Sequence, residues 1–117
     1  MKIKSIIMTN SKNKYDLIVT IVNKNFAEDV VDASKKAGAE GGTIIYGRGT
    51  GIHEKAKLFS ILIEPEKEIV LTLIKKELTE KVFKSIIDAT ELNEPGKGIA
   101  FILETEAVAG ISHELKK

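Results

Sequence analysis

The sequence predicts an α+β fold in which a four-stranded antiparallel sheet carries two helices on one face. Apolar, β-branched runs at residues 15–22 and 69–74 have the composition of strands, and a stretch with helical periodicity follows each of them. The order is strand, helix, strand, a linking arm, and again strand, helix, strand. Such a double unit closes into the ferredoxin-like βαββαβ arrangement.

The first half of the chain supplies a central strand and its helix. Residues 15–22 are apolar on both faces, which is typical of a strand covered on both sides. Asn25 is predicted to cap the helix, because Glu28 three residues later completes a capping-box pattern. Gly38 stands where a left-handed residue commonly ends a helix. A short second strand is predicted at residues 43–46.

The second half repeats this pattern. Residues 69–74 are predicted to form the third strand, Thr79 to cap the second helix, and residues 99–103 to form the fourth strand after a polar loop. Both helices have one apolar face to place on the sheet. On the second helix this face consists of Val82, Phe83, Ile86 and Ile87.

The predicted central strands are apolar on both faces, although the helices cover only one. Ile18, Val22, Val70 and Ile74 are therefore not all expected to lie under helices. A bare apolar face of several hundred Å² is typical of a binding surface. We expect self-association to bury it. The alternative is that the N-terminal segment and the C-terminal tail fold over it.

The chain is predicted to contain one domain with a terminal segment at each end. Residues 1–14 are an N-terminal extension, either an extra edge strand or a mobile tail, and residues 112–117 are a C-terminal tail. Residues 15–111 form the domain. Its arm, at about residues 48–66, begins polar and ends apolar, and an arm of this length in a compact domain is usually functional or disordered.

Charge and composition exclude several classes of protein. Eighteen Lys and Arg against 17 Asp and Glu leave a net charge of +1, which is too little for a general nucleic-acid coat. Cysteine is absent, so disulfides, thiol catalysis and cysteine-ligated metals are excluded. No apolar stretch approaches the ~20 residues that span a bilayer. We therefore predict a cytoplasmic protein that does not insert into membranes.

The segment Gly47-Arg48-Gly49-Thr50-Gly51 is the first candidate site. Its alternating glycines permit positive φ and close approach to a ligand, and consecutive N–H groups can form an anion-binding nest. Arg48 would add a forked donor for phosphate or carboxylate. A flexible hinge at the root of the arm explains the same residues equally well, and both interpretations stay open.

The segment Gly96-Lys97-Gly98 is the second candidate site. A lysine on a bendable loop suits a phosphate, but an ordinary helix-to-strand turn explains the same residues. In the arm, His53 and Glu54 could ligate a metal or contact a ligand, although a solvated loop histidine is the simpler interpretation. No HxxxH or HExxH spacing is present, so no self-contained metal site is predicted.

Several segments resemble the P-II signal transduction family, in a divergent branch with a short T-loop. Each family motif is weak alone, and their common order over residues 15–111 carries the resemblance. The segments are the turn into the second strand (residues 37–43, AGAEGGT), the base of the T-loop (residues 49–51, GTG), the proline that closes this loop (Pro65), the B-loop (residues 96–101, GKGIAF) and the segment after it (residues 106–108, EAV).

The resemblance implies a homotrimer that regulates a partner and is not an enzyme. Family members bind adenine nucleotides in clefts between subunits and present the T-loop to a target such as a membrane transporter or an enzyme of nitrogen metabolism. We therefore expect an adenine nucleotide as a ligand and no tightly bound cofactor. The glycine loops and the resemblance together predict a nucleotide site of Gly41, Thr43, Arg48, Gly49, Thr50, Gly51, Gly96, Lys97 and Gly98. The predicted partner-binding residues of the arm are His53, Leu58, Phe59 and Ile61.

The chain departs from the family at charged positions. Glu66 stands where a lysine that binds 2-oxoglutarate is typical, and residues 109–111 (AGI) replace an Arg-x-Arg motif that contacts ATP phosphates. At about 1.5–3 kcal/mol per contact, two lost arginines weaken triphosphate binding by about two decades or more. We therefore expect ADP, AMP or another small anion as a ligand no less than ATP.

Two other functions are compatible with the sequence. The chain could be a trimeric docking scaffold that has lost nucleotide sensing, with the apolar residues 58–63 of the arm as a docking strand. It could also be a metal-binding trimer that uses His53. One arm histidine per chain can build such a site only at a symmetry axis or an interface.

Overall fold

The chain folds as a four-stranded antiparallel sheet with two helices on one face, as predicted. The computed structural model describes residues 14–50, 57–58, 61–62 and 65–111. In chain order, the elements are β1 (Tyr15–Asn23), α1 (Ala27–Lys36), β2 (Thr43–Arg48), β3 (Lys57–Leu58), β4 (Ile61–Leu62), β5 (Glu66–Lys75), a 3₁₀ turn (Lys76–Leu78), α2 (Thr79–Thr90) and β6 (Gly98–Glu104).

The strand order of the sheet is β2-β5-β1-β6, and all neighbours are antiparallel. The central strands, β1 and β5, are the longest, and their β-branched and aliphatic residues suit a strand with a neighbour on each side. The edges are β2 and β6. In the arm, β3 and β4 form a separate ladder in which Leu58 lies opposite Ile61.

One face of the sheet packs against both helices and forms the core. Contrary to the prediction, Ile18, Val22, Val70 and Ile74 all lie on this covered face. The reason is the register: Ile18 pairs with Thr72, so alternate residues of both strands point to the same side. The buried helix side of this core consists of Ala27, Val30, Ala37, Val82 and Ile86.

The opposite face of the sheet carries neither described helix, and we call it the open face. Ile99 is 56% exposed, Leu103 50% and Ile45 44%. An apolar second face of the sheet therefore exists, as predicted, but the intervening strand residues form it, and one of them, Val19, is only 9% exposed. By register these are Leu17, Val19, Ile21, Ile45, Ile69, Leu71, Leu73, Ile99, Phe101 and Leu103.

A long-range contact sets the start of α1. The predicted cap, Asn25, is in a left-handed conformation, and Phe26 occupies the cap position without a side-chain bond. The Ala27 N–H instead donates to Glu68 Oε1 at 2.9 Å, so a carboxylate of β5 satisfies this helix end. At the other end, Gly38 has φ 122° and closes a Schellman motif, as predicted.

A second long-range contact sets the start of α2. Thr79 is the first helical residue rather than the cap, which is Leu78. The Thr79 hydroxyl donates to Asp16 Oδ2 at 2.7 Å, and Lys76 Nζ donates to Asp16 Oδ1 at 3.0 Å. Lys76 also reaches Glu104 Oε2 at 3.3 Å. The buried Asp16 carboxylate therefore holds together the start of β1, the end of β5 and the start of α2.

The same contacts perturb the titration of Asp16. Burial alone would raise its pKa, but the hydrogen bonds from Thr79 and Lys76, with the positive charge of Lys76, outweigh burial and hold this pKa below its ordinary value.

The helices α1 and α2 are the only α-helices of the described ranges. Neither has the length and apolarity that a bilayer crossing requires.

Candidate functional site

The two predicted glycine loops lie at the same end of the sheet but on opposite edges. The arm leaves at Arg48, the last residue of β2, and returns at its register partner Glu66. The loop of residues 95–97 leads into Gly98 of β6, which pairs with Val22 near the end of β1. Three interstrand steps of ~4.8 Å separate the edges by about 14 Å. One chain therefore does not close both loops on one phosphate.

A row of polar contacts crosses this end of the sheet between the loops. Asn23 Nδ2 donates to the Gly96 carbonyl at 3.0 Å, and Asn23 Oδ1 accepts from Lys67 Nζ at 2.6 Å. Lys67 is 8% exposed and lies between Asn23 and Gly47 in the register. Sequence reasoning missed Asn23 and Lys67, because only the pairing of β1 with β5 brings them together.

A backbone hydrogen bond closes the base of the arm, and a charge pair joins the start of β5 to Lys24, which follows β1. The Gly49 N–H donates to the Pro65 carbonyl at 3.2 Å. Glu66 Oε1 lies 2.9 Å from Lys24 Nζ on the exposed surface. The hydrogen bond and charge of Lys24, with a smaller effect of Arg48, hold the pKa of Glu66 below its ordinary value. The carboxylate of Glu66 therefore faces two cations.

The first glycine segment does not have the predicted backbone in its described part. β2 runs two residues beyond the predicted strand of residues 43–46, because Gly47 and Arg48 pair with β5. Gly47 and Gly49 have no positive φ, so residues 47–49 do not form an anion nest. Thr50 is exposed beside Gly49.

Glycine is required at some predicted site positions and not at others. Gly98 has φ 141°, and a Cβ there would overlap the Ile21 carbonyl oxygen. Gly96 has φ 82°, which also favours glycine. Gly41 and Gly49 have neither a positive φ nor an atom within 4 Å of an added Cβ. Nothing in the described part of the chain therefore requires glycine at positions 41 and 49.

Lys97 has an acidic partner within the chain. Its Nζ lies 3.4 Å from Glu91 Oε1. Glu91 is the C-terminal cap of α2 and has the left-handed φ of 55°. Sequence reasoning missed Glu91, because the contact depends on the turn that this conformation produces. The lysine predicted to meet phosphates therefore faces a carboxylate in the isolated chain.

The remaining predicted residues are divided between β2 and the arm. Thr43 begins β2 opposite Leu71, far from the loop before β6, and Gly41 precedes it. The structure therefore does not bring these two residues to the second glycine loop within one chain. Gly51, His53 and Phe59 lie outside the described residues, and the backbones of Leu58 and Ile61 pair with each other.

The described residues include no group of three or more His, Asp or Glu side chains that could hold a metal ion. The predicted role of His53 stays a prediction.

The geometry defines a ferredoxin-like domain with an arm between its second strand and the next strand of the sheet. The model of the nitrogen regulatory protein P-II family matches residues 15–114. The chain therefore belongs to the P-II family, whose members are regulatory signal transducers.

A solved structure agrees with this assignment. The chain is similar to the crystal structure of Arabidopsis thaliana PII bound to citrate, with a TM-score of 0.62 and 27% sequence identity. The similarity covers 80% of this chain and 78% of the plant chain. A search of curated proteins finds no match.

Proposed function

We propose that the chain is a P-II regulatory protein that forms a homotrimer through its open face and binds an adenine nucleotide between subunits. The open face is the observation that carries this proposal, because all four strands contribute apolar side chains that neither described helix covers. Such a surface is typical of a protein interface. The trimeric state of P-II proteins supports further copies of the chain as the cover.

Assembly would also complete the nucleotide site. Gly41 and Thr43 lie on the β2 edge, and the Gly96–Gly98 loop lies at the β6 edge. Contact between the β2 edge of one copy and the β6 edge of another would bring these residues together. The glycines at positions 41 and 49, which their own chain does not require, support close approach of a ligand or a neighbouring copy at the β2 edge.

The charges around the loops favour a ligand with fewer phosphates than ATP. Lys97 and Arg48 are cations near the two loops, but Glu91 and Glu66 lie beside them. This balance supports ADP or AMP over a triphosphate. The plant PII protein was crystallised with citrate, which supports a small anion as the type of ligand for this fold.

Nucleotide binding would shift the equilibrium of the arm between an ordered and a less ordered state. The arm would then contact a protein partner in the cytoplasm. The short β3–β4 ladder shows that part of the arm already has strand structure. A membrane transporter or an enzyme of nitrogen metabolism is the proposed type of partner. In this role the chain is a sensor and not an enzyme.

Calorimetric titration with ATP, ADP and AMP tests the nucleotide site. We expect at least one to bind, and Lys97→Ala to weaken binding about tenfold, as expected for one charge-assisted contact. The matched control is Lys81→Ala, on the exposed side of α2. No binding of any nucleotide to the folded, assembled protein would refute the nucleotide proposal. Equal affinities of the two variants would exclude a phosphate contact of Lys97.

A docking scaffold without nucleotide sensing is the second candidate function. The ion pairs Lys97–Glu91 and Lys24–Glu66 favour it. In each pair a carboxylate already neutralises a cation that a nucleotide phosphate would otherwise use. Its test replaces residues 51–64 with a Gly-Ser linker of equal length and measures partner capture with and without nucleotide. Partner capture that requires the arm and is equal with and without nucleotide would support the scaffold function. Unchanged capture by the linker variant would contradict it.

A further inference from the structure

Glu91 ends α2 in a conformation that usually belongs to glycine. Its φ is 55° and its ψ 42°, and its backbone N–H donates to the Ile87 carbonyl. A side chain in the left-handed region clashes with its own backbone, so glycine would end the helix without this cost. Helix termination therefore does not explain a glutamate here.

Stability does not explain this glutamate either. Its carboxylate reaches Lys97 Nζ at 3.4 Å, with the two side chains 62% and 39% exposed. Ion pairs as exposed as this one contribute little to folding, because water screens the charges and both side chains lose freedom. Glu91 therefore has an unfavourable backbone conformation and an ion pair that adds little to stability. A strained residue of this kind is often functional.

We propose that Glu91 limits the negative charge of the ligand that the Gly96–Gly98 loop accepts, an inference that rests on the proposed nucleotide site. A ligand phosphate must share Lys97 with the Glu91 carboxylate or displace it. Every further phosphate charge is also repelled by Glu91. Glu91 is therefore a specificity-determining residue that favours AMP and ADP over ATP.

The test compares nucleotide binding by wild type, Glu91→Gln and Glu94→Gln. Glu94 belongs to the same turn, since its N–H donates to the Glu91 carbonyl at 3.0 Å, and it forms no ion pair with the described residues. We expect Glu91→Gln to raise the affinity for ATP about fivefold, that for ADP less, and that for AMP least. Glu94→Gln should raise them less. Salt at about 0.5 M should reduce all these differences.

Two further variants separate charge from backbone effects. Glu91→Gly removes both the charge and the left-handed strain, so it should raise the melting temperature and give the same nucleotide gains as Glu91→Gln. In a Lys97→Ala background the gain from Glu91→Gln should shrink, because competition for the lysine is gone. Sedimentation of every variant confirms that the assembly is unchanged.

The outcomes distinguish this inference from the proposed function. Equal gains for the three nucleotides, no gain, or the same gain in Glu94→Gln would overturn the role of Glu91. If wild type binds no nucleotide but Glu91→Gln does, the inference stands and the proposed function of the natural chain fails. If no variant binds, both fail.

Discussion

The two faces of the sheet are built from the same kinds of side chain but have different surroundings. On the covered face, Ile18, Val22 and Val70 are fully buried under the helices. On the open face, Ile99 and Leu103 are half exposed or more. Because neighbouring strand residues point to opposite sides, a single apolar run builds both the folding core and the open face. The register of the strands, and not their composition, decides whether a residue lies on the covered face or on the open face.

The largest effect is expected from a charge on the open face. Phe101→Asp should leave the far-ultraviolet circular dichroism spectrum unchanged and convert the assembly to monomers. A carboxylate buried in an interface costs several kcal/mol per copy, whereas Phe101 is accessible to water in a single chain. Light scattering coupled to size exclusion measures the change. The control is Glu28→Gln on α1, and a Phe101→Asp protein with wild-type mass would disprove the role of the open face.

Truncations on the two faces should differ when they are compared in the monomeric Phe101→Asp background. Ile18→Ala removes fully buried atoms and should lower the free energy of unfolding by about 2–5 kcal/mol. Ile99→Ala removes the same atoms from an exposed position and should lower it by less than about 1 kcal/mol. Urea denaturation measures both. Equal losses would show that the faces do not differ in the isolated chain.

Two glycines extend the comparison to the ends of the edge strands. Gly98→Ala should lower the free energy of unfolding by about 3 kcal/mol, because the added Cβ overlaps the Ile21 carbonyl in a strained conformation. Gly49→Ala should stay within about 0.5 kcal/mol of wild type and weaken nucleotide binding. Thermal unfolding and calorimetry measure these effects. A Gly49→Ala variant with full nucleotide affinity would remove the reason for placing a ligand there.

The smallest effect is expected on the covered side, at Asp16. Its pKa is lowered on folding, so its ionised form adds stability above its unfolded pKa, and this stability is lost as the pH falls through the folded pKa. Thr79→Val removes one hydrogen-bond donor and should lower the free energy of unfolding by about 1 kcal/mol at pH 7. It should also reduce the fall of this free energy at acidic pH, the acid limb of the stability profile. Asp32→Asn, at an exposed position of α1, should leave that limb unchanged. An unchanged acid limb in Thr79→Val would contradict this role of Asp16.

The sequence predicted the elements and their order because its periodicities are local. A strand or a helix can be recognised within a short stretch of sequence. The apolar runs of β1 and β5 and the apolar stripe of α2 are examples. Gly38 was predicted for the same reason, since a helix end has its own local signature.

The errors come from contacts between distant segments. The Ala27 N–H at the start of α1 donates to Glu68, 41 residues away, and a sequence window around Asn25 does not contain this carboxylate. Ile18, Val22, Val70 and Ile74 were not all expected under the helices, because the register that places them on one side arises only when the strands pair. The pairs Asn23–Lys67 and Lys97–Glu91 were missed for the same reason. Sequence therefore located the two glycine loops but not the charges around them.

Sedimentation equilibrium of the wild-type protein at micromolar concentration measures whether copies of the chain cover the open face. We expect a mass three times the 12.8 kDa of the chain, stable to dilution. A mass of 12.8 kDa at these concentrations would mean that no other copy of the chain covers the open face, and the nucleotide clefts proposed between subunits would not exist.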